Sequence, residues 1–125
     1  MYEQDYIMRM NKDAVRVIAK LIFNKDVNSL KDIVDDETAE DNIHKTTYIQ
    51  DGMDDILKME EELLRDLKQN KSRALERAVL FYLRLCEENE EFLQSHDYSH
   101  DMIKERLSEI AERLGIAGII KTIYI

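Results

Sequence analysis

A chain of 125 residues with no proline and only three glycines, Gly52, Gly115 and Gly118, has almost none of the punctuation that turns require. An all-β or βαβ fold reverses direction often and needs such residues at each reversal, so long helices with few breaks are what this chain can build. Ile7 to Lys25 is the clearest case. Ile7, Met10, Ala14, Val17, Ile18, Leu21 and Ile22 recur at three- and four-residue steps, while Arg9, Lys12, Asp13, Arg16 and Lys20 repeat on the opposite side. The period of two that marks a strand is absent.

That first helix also divides the molecule electrically. It carries five basic side chains and one acidic one in a chain of net charge −9, whereas Asp32 to Asp66 holds 13 acidic and 3 basic residues. A basic helix face and an acidic stretch in one chain suggest self-complementarity, either within a molecule or between two copies. Acidity of this degree argues against nucleic acid as a ligand, because a phosphate-binding face concentrates Lys and Arg.

Length and composition predict one helical domain over residues 1–125, large enough to bury its apolar surface without metal or disulfide. The 36% charged content stands beside 44% hydrophobic content, which is globular composition with a heavily charged surface. The single cysteine, Cys86, excludes an internal disulfide and sits in the apolar run VLFYLRLC, so it is expected in the core. The opening MYEQDYIMR lacks the basic start and apolar core of a signal peptide, and no run approaches a membrane span. These features predict a cytoplasmic protein.

The first break falls at Asn24 to Thr46. Ser29 with Asp32 can start one short helical turn carrying Leu30, Ile33 and Val34, and Asp35 to Thr46 reads as a mobile acidic linker. A second helix is expected from Thr47 to Gln69, with Ile49, Met53, Ile56, Leu63 and Leu67 on one stripe and Gly52 weakening its start. Glu60, Glu61 and Glu62 look like metal-binding or acid/base carboxylates. Consecutive helical residues point about 100° apart, however, so the run is expected to be solvated surface. After Ser72, Ala74, Leu75, Ala78, Val79, Phe81, Tyr82, Leu83, Leu85 and Cys86 cover most of a third helix, which should be the central one.

Glu87/Glu90 and Glu88/Glu91 then have the spacing of an ExxE metal site, as in all-helical nucleotide pyrophosphatases, for which Glu62 and Asp66 would have to supply the second acidic pair. Phe92, Leu93 and Tyr98 bridge the next connection. Ser99 is a good N-cap for a fourth helix with Met102, Ile103, Leu107, Ile110, Ala111 and Leu114, and Gly115 suits its C-cap. His96 and His100 are four apart, but a cap at Ser99 leaves His96 outside the helix, so zinc is not expected there and both are read as capping or surface residues. The tail GIAGIIKTIYI must be covered from water; its periodicity does not choose between helix and strand, nor between its own core and a second copy.

No phosphate loop, nucleophile elbow, HExxH, CxxC or EF-hand pattern occurs. Two stretches, YEQDYIMR with VIAKLIFNKD, and ALERAVLFYLRLCEENEEFLQSHDYSHDMIKERLSEIAERLGI, resemble a family of short acidic proteins of unknown function from Gram-positive bacteria. The resemblance covers half to two-thirds of the chain and departs from the pattern at Asp35 to Asp66 and in the tail. It implies an uncharacterised cytoplasmic helical protein whose later helices are similar to tetratricopeptide-like hairpins, and it carries over no site residue.

The expected fold is therefore all-α, four main helices as two hairpins, followed by the apolar tail at 115–125. The expected role is a protein-interaction or scaffold domain, a homodimer with a further protein partner, using no cofactor or metal. Its candidate interaction face is Arg9, Lys12, Arg16 and Lys20 with Ile116, Ile119, Ile120 and Ile123. A carboxylate- and metal-dependent helical hydrolase is the alternative.

Overall fold

The computed structural model describes residues 2–24, 55–71 and 73–124. These form six helices and no strand: α1 (Tyr2–Phe23), α2 (Ile56–Lys68), α3 (Ala74–Cys86), α4 (Glu90–Ser95), α5 (His100–Leu114) and α6 (Ala117–Ile123). The turn expected at Ser29 to Val34, the linker at Asp35 to Thr46 and the helical residues from Thr47 lie outside the described residues.

The most apolar helix is the central one, as its composition predicts. Val79, Leu80, Phe81, Tyr82, Leu83, Leu85 and Cys86 are buried on almost every side of α3, and α1, α2 and α5 all pack on it. Phe81 and Tyr82 meet edge to face at 5.3 Å. The expected pair of sequential hairpins is only half present. The α2 and α3 helices do form one, but α1 packs chiefly between α3 and α5. The reason is the apolar girth of α3, which takes α1 and α2 on different sides, and the length of chain between Phe23 and Ile56, which does not force those two helices together.

Helix directions follow from the contacts. Asn11 meets His100, and Ile22 shares a cleft with Arg113, so α1 and α5 run parallel. Glu60 reaches Tyr82 and Asp66 reaches Arg77, so α2 and α3 are antiparallel. The buried face of α1 comprises Met10, Asn11, Ala14, Val15, Ile18 and Ala19, a rotation of the expected stripe that leaves Leu21 exposed.

Local signals set the helix ends. Asp55 has φ −146° and its carboxylate accepts from the Lys58 amide at 3.1 Å, so α2 begins at Ile56. Ser99 caps α5 by accepting from the Met102 amide at 3.2 Å. At the other end Gly115 takes φ 77°, and the Ile116 amide donates to the Ala111 carbonyl at 2.9 Å, a Schellman arrangement. The apolar bridge expected after the third helix is a short helix, α4, capped by Asn89.

The tail is helical and folds onto its own molecule. Ile120 is fully buried, Ile116 and Ile123 are half-buried, and α6 lies against α1 and α5.

Candidate functional site

The four basic residues of the expected interaction face, Arg9, Lys12, Arg16 and Lys20, are all exposed along one side of α1. Among the described residues no carboxylate lies within ion-pair distance of Arg9, Lys12 or Arg16. The helical step places Tyr6 beside this stripe, whereas Leu21 lies on the side of Met10 and Ala14 near the end of α1; Tyr6 and Leu21 are each 53% exposed. The apolar half of the expected face is narrower than the sequence suggests. Ile119 is exposed, but Ile120 belongs to the chain's own core and cannot form part of a contact surface.

Glu60 corrects a second expectation. It is 4% exposed, not solvated, and its carboxylate accepts from the Tyr82 hydroxyl at 2.8 Å and from the Tyr98 hydroxyl. Arg106 Nε stands 3.5 Å away, and the same guanidinium donates to Glu109 at 3.0 and 3.2 Å. One carboxylate thus ties α2, α3, the loop before α5 and α5 itself. Burial, then the neighbouring Tyr98 and the Glu60 carboxylate, raise the Tyr82 hydroxyl above its ordinary value; burial and Glu60 do the same to Tyr98. Burial works against the Arg106 cation, but Glu60 and Glu109 outweigh it and hold the guanidinium above its usual value. Glu61 and Glu62 are exposed, as expected.

A third polar group lies near the start of α5. The buried Asn11 amide donates to the His100 carbonyl at 2.9 Å and accepts from the Tyr124 hydroxyl, linking α1, α5 and the tail. Lys104 sits over the Tyr124 ring at 5.1 Å. His100 is fully buried, contrary to its expected capping or surface role, and neither ring nitrogen has a hydrogen-bond partner among the described residues. Its Nε2 stands 3.4 Å from a Glu90 oxygen. Burial lowers the His100 pKa; Glu90 and Asp101 oppose that, and Lys12 adds to it. His96 terminates α4 and stacks at 4.7 Å on Phe92, so the two histidines do not converge. Cys86 is buried as expected, and burial pushes its thiol up to about 12, against a pull from Lys12 that exceeds the smaller push from Glu87.

The acidic pairs do not assemble into a hydrolase site. Glu88 pairs with Arg84 at 2.9 Å, Glu87 and Glu91 face solvent, and Asp66 is held by Arg77 at 3.3 Å and Lys71 at 3.5 Å. Among the described residues no group of three or more His, Cys, Asp or Glu is placed to hold a metal ion. No helix among them is long and apolar enough to cross a membrane.

Sequence reasoning read Glu60 and His100 as surface residues and passed over Asn11. A signal existed for two of them: Glu60 shares the stripe of Ile56, Leu63 and Leu67, and Asn11 shares that of Ile7, Ala14 and Ile18. A polar residue inside an apolar stripe is buried unless the stripe ends there, and it then needs partners.

Comparison with known proteins finds a model that matches residues 1–115, described as a family of unknown function (DUF6483). The match includes Asp35 to Asp66, where the resemblance read from the sequence departs, and stops before α6. No curated protein and no solved structure matches the chain.

Proposed function

The chain belongs to this family of unknown function, which supplies no activity to inherit, and we propose that it is a protein-interaction domain whose contact surface is the solvent face of α1. One observation carries the reading: Arg9, Lys12 and Arg16 are exposed and unmatched by any described carboxylate, with Tyr6 exposed beside them, on a molecule of net charge −9. A basic stripe steers an acidic surface toward it, and the flanking tyrosine supplies burial that slows release. The partner is an acidic protein that presents an apolar patch. Nucleic acid fits poorly, because a few cations on so acidic a molecule compete with overall repulsion. A second copy of the chain is the weaker fit, since the tail that argued for a homodimer packs Ile120 into its own core and half-buries Ile116 and Ile123. A cytoplasmic setting accords with the lone, buried, reduced Cys86.

The test compares the intact chain with an Arg9→Glu/Lys12→Glu/Arg16→Glu variant as baits in affinity capture from the native host. A partner held by the first and lost by the second, with equal thermal midpoints for the two baits, is the expected result. Identical captured sets would overturn the proposal. Sedimentation of the purified chain settles the homodimer separately: a monomer at high micromolar concentration is expected.

A further inference from the structure

The solvent side of α1 carries an ordered pattern as well as charge. Arg9 and Arg16 stand two helical turns apart, which separates them by about 10.5 Å along the axis, and Lys12 lies between them. Beside this row Tyr6, Asp13 and Val17 follow one another at steps of seven and four residues. Tyr6 and Asp13 are exposed and Val17 is half-buried. Among the described residues Asp13 has no cation within ion-pair distance, just as Arg9, Lys12 and Arg16 have no carboxylate.

Steps of seven and four residues belong to the seam between two packed helices, where flanking charges one heptad apart select the partner. A helix laid along α1 repeats its own side chains every two turns and so matches the separation of Arg9 and Arg16. An extended peptide does not, because side chains on one of its faces recur at about 6.7 Å and then about 13 Å. A membrane surface fits no better. The apolar side of α1, with Ala14, Val15 and Ile18, is buried against α3 and α5 and cannot enter lipid, and an anionic surface repels Asp13.

Resting on the reading of α1 as a contact surface for an acidic protein, we infer that the partner docks there with an α-helix. That helix carries carboxylates seven residues apart facing Arg9 and Arg16, a Lys or Arg facing Asp13, and an apolar residue against Tyr6 and Val17. Asp13 then serves selectivity: a uniformly acidic helix sets a carboxylate opposite it, and the like charges count against the wrong partner.

Fluorescence anisotropy of the full chain with labelled peptides of three heptads provides the test. The matched peptide repeats Leu-Ala-Ala-Leu-Glu-Ala-Glu, with lysine as the fourth residue of the middle repeat, so that glutamates flank a leucine seam on a strong helix former. Its binding should weaken about tenfold when the repeat becomes Leu-Glu-Ala-Leu-Ala-Glu-Ala, which has the same composition but turns the glutamates away from the seam. Proline in place of a central alanine should weaken it as much, because the charge stays and the helix is lost. Exchanging the lone lysine for glutamate should weaken binding to the unaltered chain and strengthen it to Asp13→Lys, although the peptide becomes more acidic. The variants alter exposed side chains, so their thermal midpoints should equal that of the unaltered chain. Equal binding of the turned-away or proline peptide, or a lysine preference that Asp13→Lys does not reverse, overturns the helical occupant and leaves the acidic partner standing. Unchanged binding by Arg9→Glu/Lys12→Glu/Arg16→Glu overturns both. No anisotropy change up to about 1 mM protein, or tighter association with phosphatidylglycerol vesicles than with the matched peptide, also rules out the helix.

Discussion

Replacing Glu60 with leucine tests whether its buried carboxylate is a structural hub. The side chain is 4% exposed and accepts from two tyrosines, so Glu60→Leu leaves the Tyr82 and Tyr98 hydroxyls only each other in a dry interior, with at least one orphaned. An orphaned buried hydroxyl costs about 1–3 kcal/mol, and two of them cost about 2–6 kcal/mol. Extra apolar burial on the stripe of Ile56, Leu63 and Leu67 offsets about 1–2 kcal/mol, leaving a net loss centred on about 2 kcal/mol. Arg106 adds little, because it keeps Glu109 and reaches water. Removing all three polar groups together should behave differently. Glu60→Leu/Tyr82→Phe/Tyr98→Phe orphans nothing, so it should recover to within about 1 kcal/mol of the unaltered protein. Urea unfolding followed by circular dichroism, with equal m-values, gives both numbers. A Glu60→Leu loss below about 1 kcal/mol, or a triple variant no more stable than the single one, would refute the account.

The raised tyrosines make a prediction at high pH: above about 10 the unfolded chain ionises while Tyr82 and Tyr98 stay protonated when folded, so stability falls with rising pH. Urea melts of Tyr82→Phe/Tyr98→Phe should show a flatter alkaline limb. At the acid side His100 titrates below its ordinary value when folded, so its contribution is intact above about pH 6.5 and is lost as pH falls toward the lower folded value. His100→Leu should remove that part of the slope, and an unchanged slope would rule out His100 as its source. Tyr124→Phe loses the bond to Asn11 but keeps the ring under Lys104, so a loss of about 1 kcal/mol is expected in the same assay. Cys86, buried and with its thiol pushed up to about 12, should react with a thiol reagent only at the rate of unfolding; fast labelling of the native chain contradicts its placement.

Elements set by local chemistry were legible in the sequence. The α3 core, the Ser99 and Gly115 caps and the exposed cations of α1 follow from residue type and spacing. What was not legible depends on which helix meets which. The turn of α1 that buries Ala19 and exposes Leu21 is set by its seat between α3 and α5, which periodicity alone does not contain. Burial of Glu60 required Tyr82 and Tyr98 to arrive from two other elements, 22 and 38 residues away. The choice between helix and strand for the tail was likewise made by the surface that received it, where Ile120 is enclosed and Tyr124 finds Asn11.

The seat of α1 has a kinetic consequence. Asn11 bonds to a carbonyl 89 residues further along the chain, whereas the contacts between α2 and α3 close a short loop. Closing the long loop carries the larger entropy loss and gains nothing until α3 and α5 already present a surface to dock on. Loop-closure entropy therefore favours pairing of α2 with α3 before α1 docks on α3 and α5. During synthesis the Asn11 amide has no His100 carbonyl to bond until that residue has emerged.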